Sequence, residues 1–175
     1  MLIKKLSVAI FLLMVTVSCS RQNASPNAPV AANPTESKPR NSVDVVRVSA
    51  HPLELSRNKD GDAIVEIGID RGYHVNANPP TFSYLKATKL ELAASPGISV
   101  SFIVYPDPIT KSFAFAEKPL AVYEGVTTLK VRLKAEKSAQ AGSQNLSGTL
   151  QVQACDDQVC YAPGTLPVSI PLSIK

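Results

Sequence analysis

Ile64-Val65-Glu66-Ile67-Gly68-Ile69, followed at once by Asp70-Arg71-Gly72, reads as a β-strand running into a turn. Val65, Ile67 and Ile69 fall on one side of an extended chain, with Ile64 and Glu66 on the other, and the side-chain period is two. The same alternation recurs outward in both directions: Val46/Val48, Leu90/Leu92, Ile98/Val100/Phe102, Leu129/Val131/Leu133, Leu150/Val152 and Val168/Ile170/Leu172. Asp60-Gly61, Ser95-Pro96-Gly97 and Ala141-Gly142 supply further turn signals between these runs. Only residues 135–141 approach a helical pattern, and that stretch is too short and too polar to form one. Short, half-apolar strands divided by turns predict an all-β fold for residues 43–175, a single antiparallel β-sandwich of seven to nine strands with no second domain.

The chain begins differently. Lys4 and Lys5 precede an apolar run from Leu6 to Val17, and small Ser18 then precedes Cys19. A run of twelve residues is too short to span a hydrocarbon core, which needs about 20, so residues 1–18 read as an export signal. Val17-Ser18-Cys19 resembles the end of a bacterial lipobox, although Thr16 stands where such boxes carry an aliphatic residue. Cys19 is then the expected lipidation site, anchoring the chain to a membrane of the cell envelope. From Ser20 to Ser42 the only large aliphatic side chain is Val30. Such a segment buries too little apolar surface to offset the entropy of ordering, so residues 19–42 are expected to form a lipidated cysteine and a disordered tether.

Charge narrows the partners. The formal charge is +4, and loss of residues 1–18 lowers it to +2; residues 43–175 balance to zero. No basic footprint for phosphate remains, so nucleic acid is not an expected partner.

Apart from Cys19, the only cysteines are Cys155 and Cys160, in Gln153-Ala154-Cys155-Asp156-Asp157-Gln158-Val159-Cys160-Tyr161-Ala162-Pro163. An exported chain meets a compartment that permits disulfides, and the two read as a redox pair or as a structural bridge. A domain of this size buries an adequate core without a staple, and a loop of about six residues gives a disulfide only about 2 kcal/mol on the chain-entropy model. Zinc is a poor fit: Cys-x4-Cys lacks the two-residue knuckle, and a site of Cys155, Cys160 and His74 would lack a fourth ligand. No metal and no cofactor are expected.

Five blocks resemble the N-terminal periplasmic domain of DsbD-type thiol:disulfide interchange proteins. They are Gly72-Tyr73-His74-Val75-Asn76-Ala77-Asn78-Pro79-Pro80, Ala87-Thr88-Lys89-Leu90, Ile103-Val104-Tyr105-Pro106, Val122-Tyr123-Glu124-Gly125, and the cysteine block through Tyr161-Ala162-Pro163. The likeness runs from about Val45 to Leu172 and rests on the order and spacing of the blocks. It implies an immunoglobulin-like sandwich whose cysteine pair relays electrons from a thioredoxin-like donor to oxidised thioredoxin-fold clients on the periplasmic side of the membrane. The sequence ends at Lys175 with neither the membrane segment nor the thioredoxin-like domain of full-length relatives, so the donor, and any membrane electron conduit, are expected to be separate proteins.

The resemblance also implies roles for single residues. Cys160 becomes the sulfur that forms the mixed disulfide, and Cys155 its resolving partner. His74 and Asn76 fall on one face of a strand near the cysteines, where His74 can tune a thiol or serve as an ordinary buried histidine. Phe113 and Phe115, in Ser112-Phe113-Ala114-Phe115-Ala116-Glu117, lie where the family carries a loop that caps the disulfide; two residues apart, they would point the same way on a strand. Asp156 and Asp157 add negative charge beside the thiols and disfavour thiolate, while Tyr161 completes the neighbourhood. Such a pair suits being attacked when oxidised better than attacking unaided. Two functions are in play: a lipid-anchored oxidoreductase component, or a non-catalytic envelope-binding sandwich with a structural bridge.

Overall fold

The computed structural model describes residues 41–175, nearly all of them in or between β-strands. The expected export signal, Cys19 and nearly all of the expected tether lie outside the described residues.

Twelve strands are present among the described residues, with no α-helix. They build three four-stranded sheets. The first has the order β1 (Val46–Ala50), β3 (Lys59–Ile69), β9 (Val126–Ala135), β6 (Ile98–Val104). The second runs β2 (Leu53–Leu55), β12 (Gly164–Ile174), β10 (Gly142–Val152), β5 (Lys89–Leu92). Residues from both sheets share one core: Ala63, Val65 and Ile67 of β3 and Leu129, Val131 and Leu133 of β9 are fully buried, as are Leu150, Val152 and Ile170 of β10 and β12. The alternating residues bury one face of each long strand, and the fold is an immunoglobulin-like β-sandwich. Its ladders are antiparallel except between β12 and β2, which run parallel over three residues.

The third sheet is small: β11 (Ala154–Cys155), β4 (His74–Asn76), β8 (Leu120–Tyr123), β7 (Ile109–Lys111). Phe113, Leu120 and Val122 form a second apolar cluster against it, with Phe82 and Leu85 packed alongside. Strands of two or three residues carry too little alternation to read from sequence, which explains twelve strands where the alternation alone predicts seven to nine.

Three further predictions need correction. Asp60-Gly61 is not a turn but the start of β3, paired with Lys134 and Leu133 of β9. The chain reverses just before it, at Arg57-Asn58, where Asn58 takes φ 59°, a left-handed conformation that asparagine tolerates better than most residues. Val100 and Phe102 do not continue the buried face begun by Ile98: both are exposed. The register with β9 slips between them, Val100 facing Leu133 and Phe102 facing Arg132. That extra residue, a β-bulge, turns Phe102 outward and aims Ile103 at Val131 on the core side. The fold also starts before residue 43: Asn41 caps a 3-10 turn over Ser42–Val45, and Ser42 is buried.

The longest ladder delivers the cysteines. β10 and β12 pair without interruption from Gly142↔Ile174 to Val152↔Gly164, and residues 153–163 are the connection at its end. Both cysteines of the folded domain sit on that connection.

Candidate functional site

Beyond Val152 the connection folds into a miniature hairpin. Tyr161 N–H donates to the Ala154 carbonyl at 2.8 Å and Asp156 N–H to the Val159 carbonyl at 3.0 Å. Between these bonds Cys155 and Cys160 face each other as an isolated antiparallel bridge, joined by a disulfide with Cα atoms 3.9 Å apart. Facing residues without mutual backbone hydrogen bonds are the closest pairs in an antiparallel ladder, so this placement brings the sulfurs within bonding reach.

Side chains hold the hairpin from both sides. Ser42 Oγ donates to the Ala162 carbonyl at 2.7 Å and accepts from Ala154 N–H at 2.8 Å, tying both arms to the start of the domain. Gln153 Oε1 accepts from Asn76 Nδ2 at 3.1 Å and from Lys86 N–H at 2.8 Å, tying the hairpin to β4 and the loop after it. Asp156 closes the tip: one carboxylate oxygen accepts from Gln158 and Val159 N–H, both at 2.8 Å, and the other from the Tyr161 hydroxyl. Burial, reinforced by that bond to Asp156, pushes the Tyr161 phenol well up, so it stays a donor.

The two aspartates therefore differ. The sequence alone has both adding bare negative charge beside the sulfurs, whereas the Asp156 carboxylate is engaged by three donors. Asp157 is exposed, 3.7 Å from Lys111 Nζ, which also bonds Glu124 at 2.7 Å. Ser42, Gln153 and Lys111 are site residues that sequence reasoning missed. Ser42 meets its partners across 112 and 120 residues of chain, a contact with no local signature.

The cysteines are unequally accessible: Cys155 is completely buried, and Cys160 is partly exposed. Cys160 borders a cleft of about 320 Å³ whose walls include Tyr84, Leu85, Phe115, Leu120 and Val159. Tyr84, Phe115 and Val159 are exposed around it, so the approach to Cys160 is apolar and open.

His74 and Asn76 both lie on β4 and are both fully buried, with His74 directly opposite Cys155 in the ladder. Asn76 donates to Gln153 and to the Lys86 carbonyl. His74 stacks on Phe113 with ring centroids 4.1 Å apart, and neither of its ring nitrogens has a hydrogen-bond partner. Phe113 and Phe115 are not on a strand: they occupy a turn closed by Ala116 N–H on the Phe113 carbonyl, although their rings still stack at 5.3 Å. Phe113 is buried over His74, and Phe115 is 39 % exposed on the cleft. His51 lies elsewhere, on the surface beside Glu66. Among the described residues no group of three or more His, Cys, Asp or Glu side chains is arranged to hold a metal ion, and no helix is long and apolar enough to cross a membrane.

A family model, thiol:disulfide interchange protein DsbD, N-terminal, matches residues 43–170. The chain belongs to this family. Among solved structures, the N-terminal periplasmic domain of ScsB from Proteus mirabilis is 19% identical with TM-score 0.48; the match covers 73% of this chain and 45% of that one, less than half its length. A chain of the Coh-OlpC–Doc435 cohesin–dockerin complex of Clostridium thermocellum is 7% identical with TM-score 0.42, covering 80% of this chain and 99% of that one. The major pilin subunit BcpA of Bacillus cereus is 9% identical with TM-score 0.38, over 74% and 40%. No curated protein matches. Membership of the DsbD N-terminal family places the disulfide in a thiol:disulfide interchange family.

Burial lowers the His74 pKa from the usual 6.5 to about 4, helped by Lys111 from β7, while Glu124, Asp157 and Asp156 oppose the shift. Between those two values the unfolded chain binds the proton and the folded domain does not. Stability should therefore be fully present above about pH 6.5 and fall as pH drops toward 4, by up to about 3 kcal/mol from this group. Urea titrations at about pH 7, 5.5 and 4.5 on the domain and on His74→Phe test this: the variant should lose most of that acid sensitivity, and equal slopes in both proteins would refute it.

Proposed function

We propose that this DsbD N-terminal family domain is an envelope thiol-disulfide relay, reduced by a thioredoxin-like donor through Cys160 and oxidised again by thioredoxin-fold clients. The observation that carries the reading is the unequal burial of the pair, with Cys155 enclosed and Cys160 bordering an apolar cleft. Disulfide exchange needs attacking, attacked and leaving sulfurs nearly in line, and only Cys160 offers an approach from solvent.

The donor thiolate attacks Cys160 Sγ; the Cys155–Cys160 bond breaks, and its electron pair leaves on Cys155 Sγ. The donor's second thiolate then attacks the donor sulfur of the mixed disulfide and releases Cys160, so the donor ends oxidised and the domain holds two thiols. With an oxidised client the sequence reverses: Cys160 attacks the client disulfide, and Cys155 attacks Cys160 to restore the bridge and free the client dithiol. The apolar rim of Tyr84, Phe115 and Val159 suits a protein surface better than a small charged thiol. Phe115, the phenylalanine on the cleft, is the better candidate for the cap, and Phe113 the better candidate for its packed base. Lipid on Cys19 would keep the relay beside the membrane, facing the periplasm.

Three outcomes are expected. Cys155→Ser should accumulate a mixed disulfide between Cys160 and an oxidised thioredoxin-fold client on non-reducing gels, and Cys160→Ser should accumulate little; equal trapping on both would sink the assignment of Cys160. Phe115→Ala should speed reduction by glutathione several-fold by widening access, an idea abandoned if the rate is unchanged. Mass spectrometry of membrane-extracted protein should find a lipidated Cys19 at the N-terminus; an unmodified Cys19 would remove the anchor.

A further inference from the structure

A buried imidazole with two unpartnered nitrogens is an expensive way to fill space. Leaving a buried polar atom unsatisfied costs about 1–3 kcal/mol, and a leucine or phenylalanine at position 74 would pack against Phe113 without that cost. Unsatisfied buried groups in native structures call for a cause, a redox role among them. The ladder supplies one: His74 is paired with Cys155, and side chains of paired residues stand on the same face with Cβ atoms about 4.5–5.5 Å apart.

In the oxidised domain Cys155 Sγ is half of a disulfide, a poor acceptor. When the Cys160 bond breaks, the same atom leaves with the electron pair as a thiolate, a charged acceptor, in a position closed to water. A thiolate there needs a donor from the protein. Of the groups around His74, Lys111 Nζ bonds Glu124 and approaches Asp157, and the Asp156 carboxylate already accepts from its own hairpin. No carboxylate can donate when ionised. A neutral imidazole always carries one N–H.

We propose that His74 is the hydrogen-bond donor to the Cys155 sulfur in the reduced domain, stabilising the leaving thiolate and so favouring reduction. The inference rests on the relay reading for its purpose but not for its test. Its lowered basicity fits the role, since a ring that is neutral at working pH donates without placing a buried positive charge opposite the sulfur. The stack on Phe113 holds the ring plane, so the donor need not be reoriented when the bond breaks.

The experiment uses small thiols, so that it stands even if no protein client is ever trapped. Equilibrated against glutathione, His74→Leu should shift about tenfold toward the disulfide, equivalent to about 30 mV. His74→Gln, which keeps an N–H, should recover much of that shift. In a Cys160→Ser background, titration of the remaining Cys155 thiolate by its ultraviolet absorbance should show a higher pKa when His74→Leu is added than when the histidine is kept. A second measurement needs no substitution: the ring ¹⁵N shifts of His74 should move on reduction of the unmodified domain. Equilibria within about twofold for histidine, leucine and glutamine at this position, or ring shifts that do not move on reduction, would overturn the proposal. Failure to trap a client on Cys155→Ser would count against the relay and leave this result untouched.

Discussion

Two backbone hydrogen bonds, Tyr161 to Ala154 and Asp156 to Val159, make Cys155 and Cys160 opposite members of one hairpin. Four residues between cysteines would otherwise leave the sulfurs free to wander, and most conformations of such a loop keep them apart. The hairpin depends on the uninterrupted β10–β12 ladder, which delivers the two arms side by side, and on Ser42, which grips both arms from the far end of the chain. Because those supports are hydrogen bonds and not the disulfide, the site has a framework that does not rely on the sulfur–sulfur bond.

That arrangement separates two duties that a shorter motif combines. Thioredoxin-like sites place the reactive sulfur at a helix N-terminus, whose dipole favours thiolate; here both cysteines lie on extended chain, with no α-helix among the described residues. What remains is geometry and enclosure. Cys155 sits against the core, Cys160 sits toward the cleft, and the aromatic turn of residues 113–116 lies over His74 and beside the cleft. On the proposed relay, selectivity would come from what can reach Cys160, more than from how nucleophilic the pair is by itself.

The long strands are legible in the sequence because their alternation is strict: Val65/Ile67/Ile69 and Leu129/Val131/Leu133 face the core as read. So is the pairing of the cysteines, with few others to choose from, and the neighbourhood of His74 and Asn76, which the family likeness implies. Three things are not. Strands β4 and β11, three and two residues long, have no period to detect, yet they set His74 opposite Cys155. Ser42 reads as tether because the residues before it are polar and proline-rich, and its role comes entirely from distant partners. Asp156 and Asp157 are identical in type and adjacent, so only the fold could assign one to the hairpin's hydrogen bonds and the other to Lys111.

The bulge in β6 has a consequence beyond re-aiming Ile103. β6 is the terminal strand of its sheet, and Val100, Phe102 and Val104 leave it apolar and solvent-facing, the profile that invites a second chain to add a strand and begin aggregation. A partner strand needs an unbroken run of amide and carbonyl groups at regular spacing, and the extra residue at Ser101 interrupts that run midway. The exposed margin is thus a poor template for edge-to-edge growth of the sheet. That defect in regularity guards solubility without requiring charged residues along the strand.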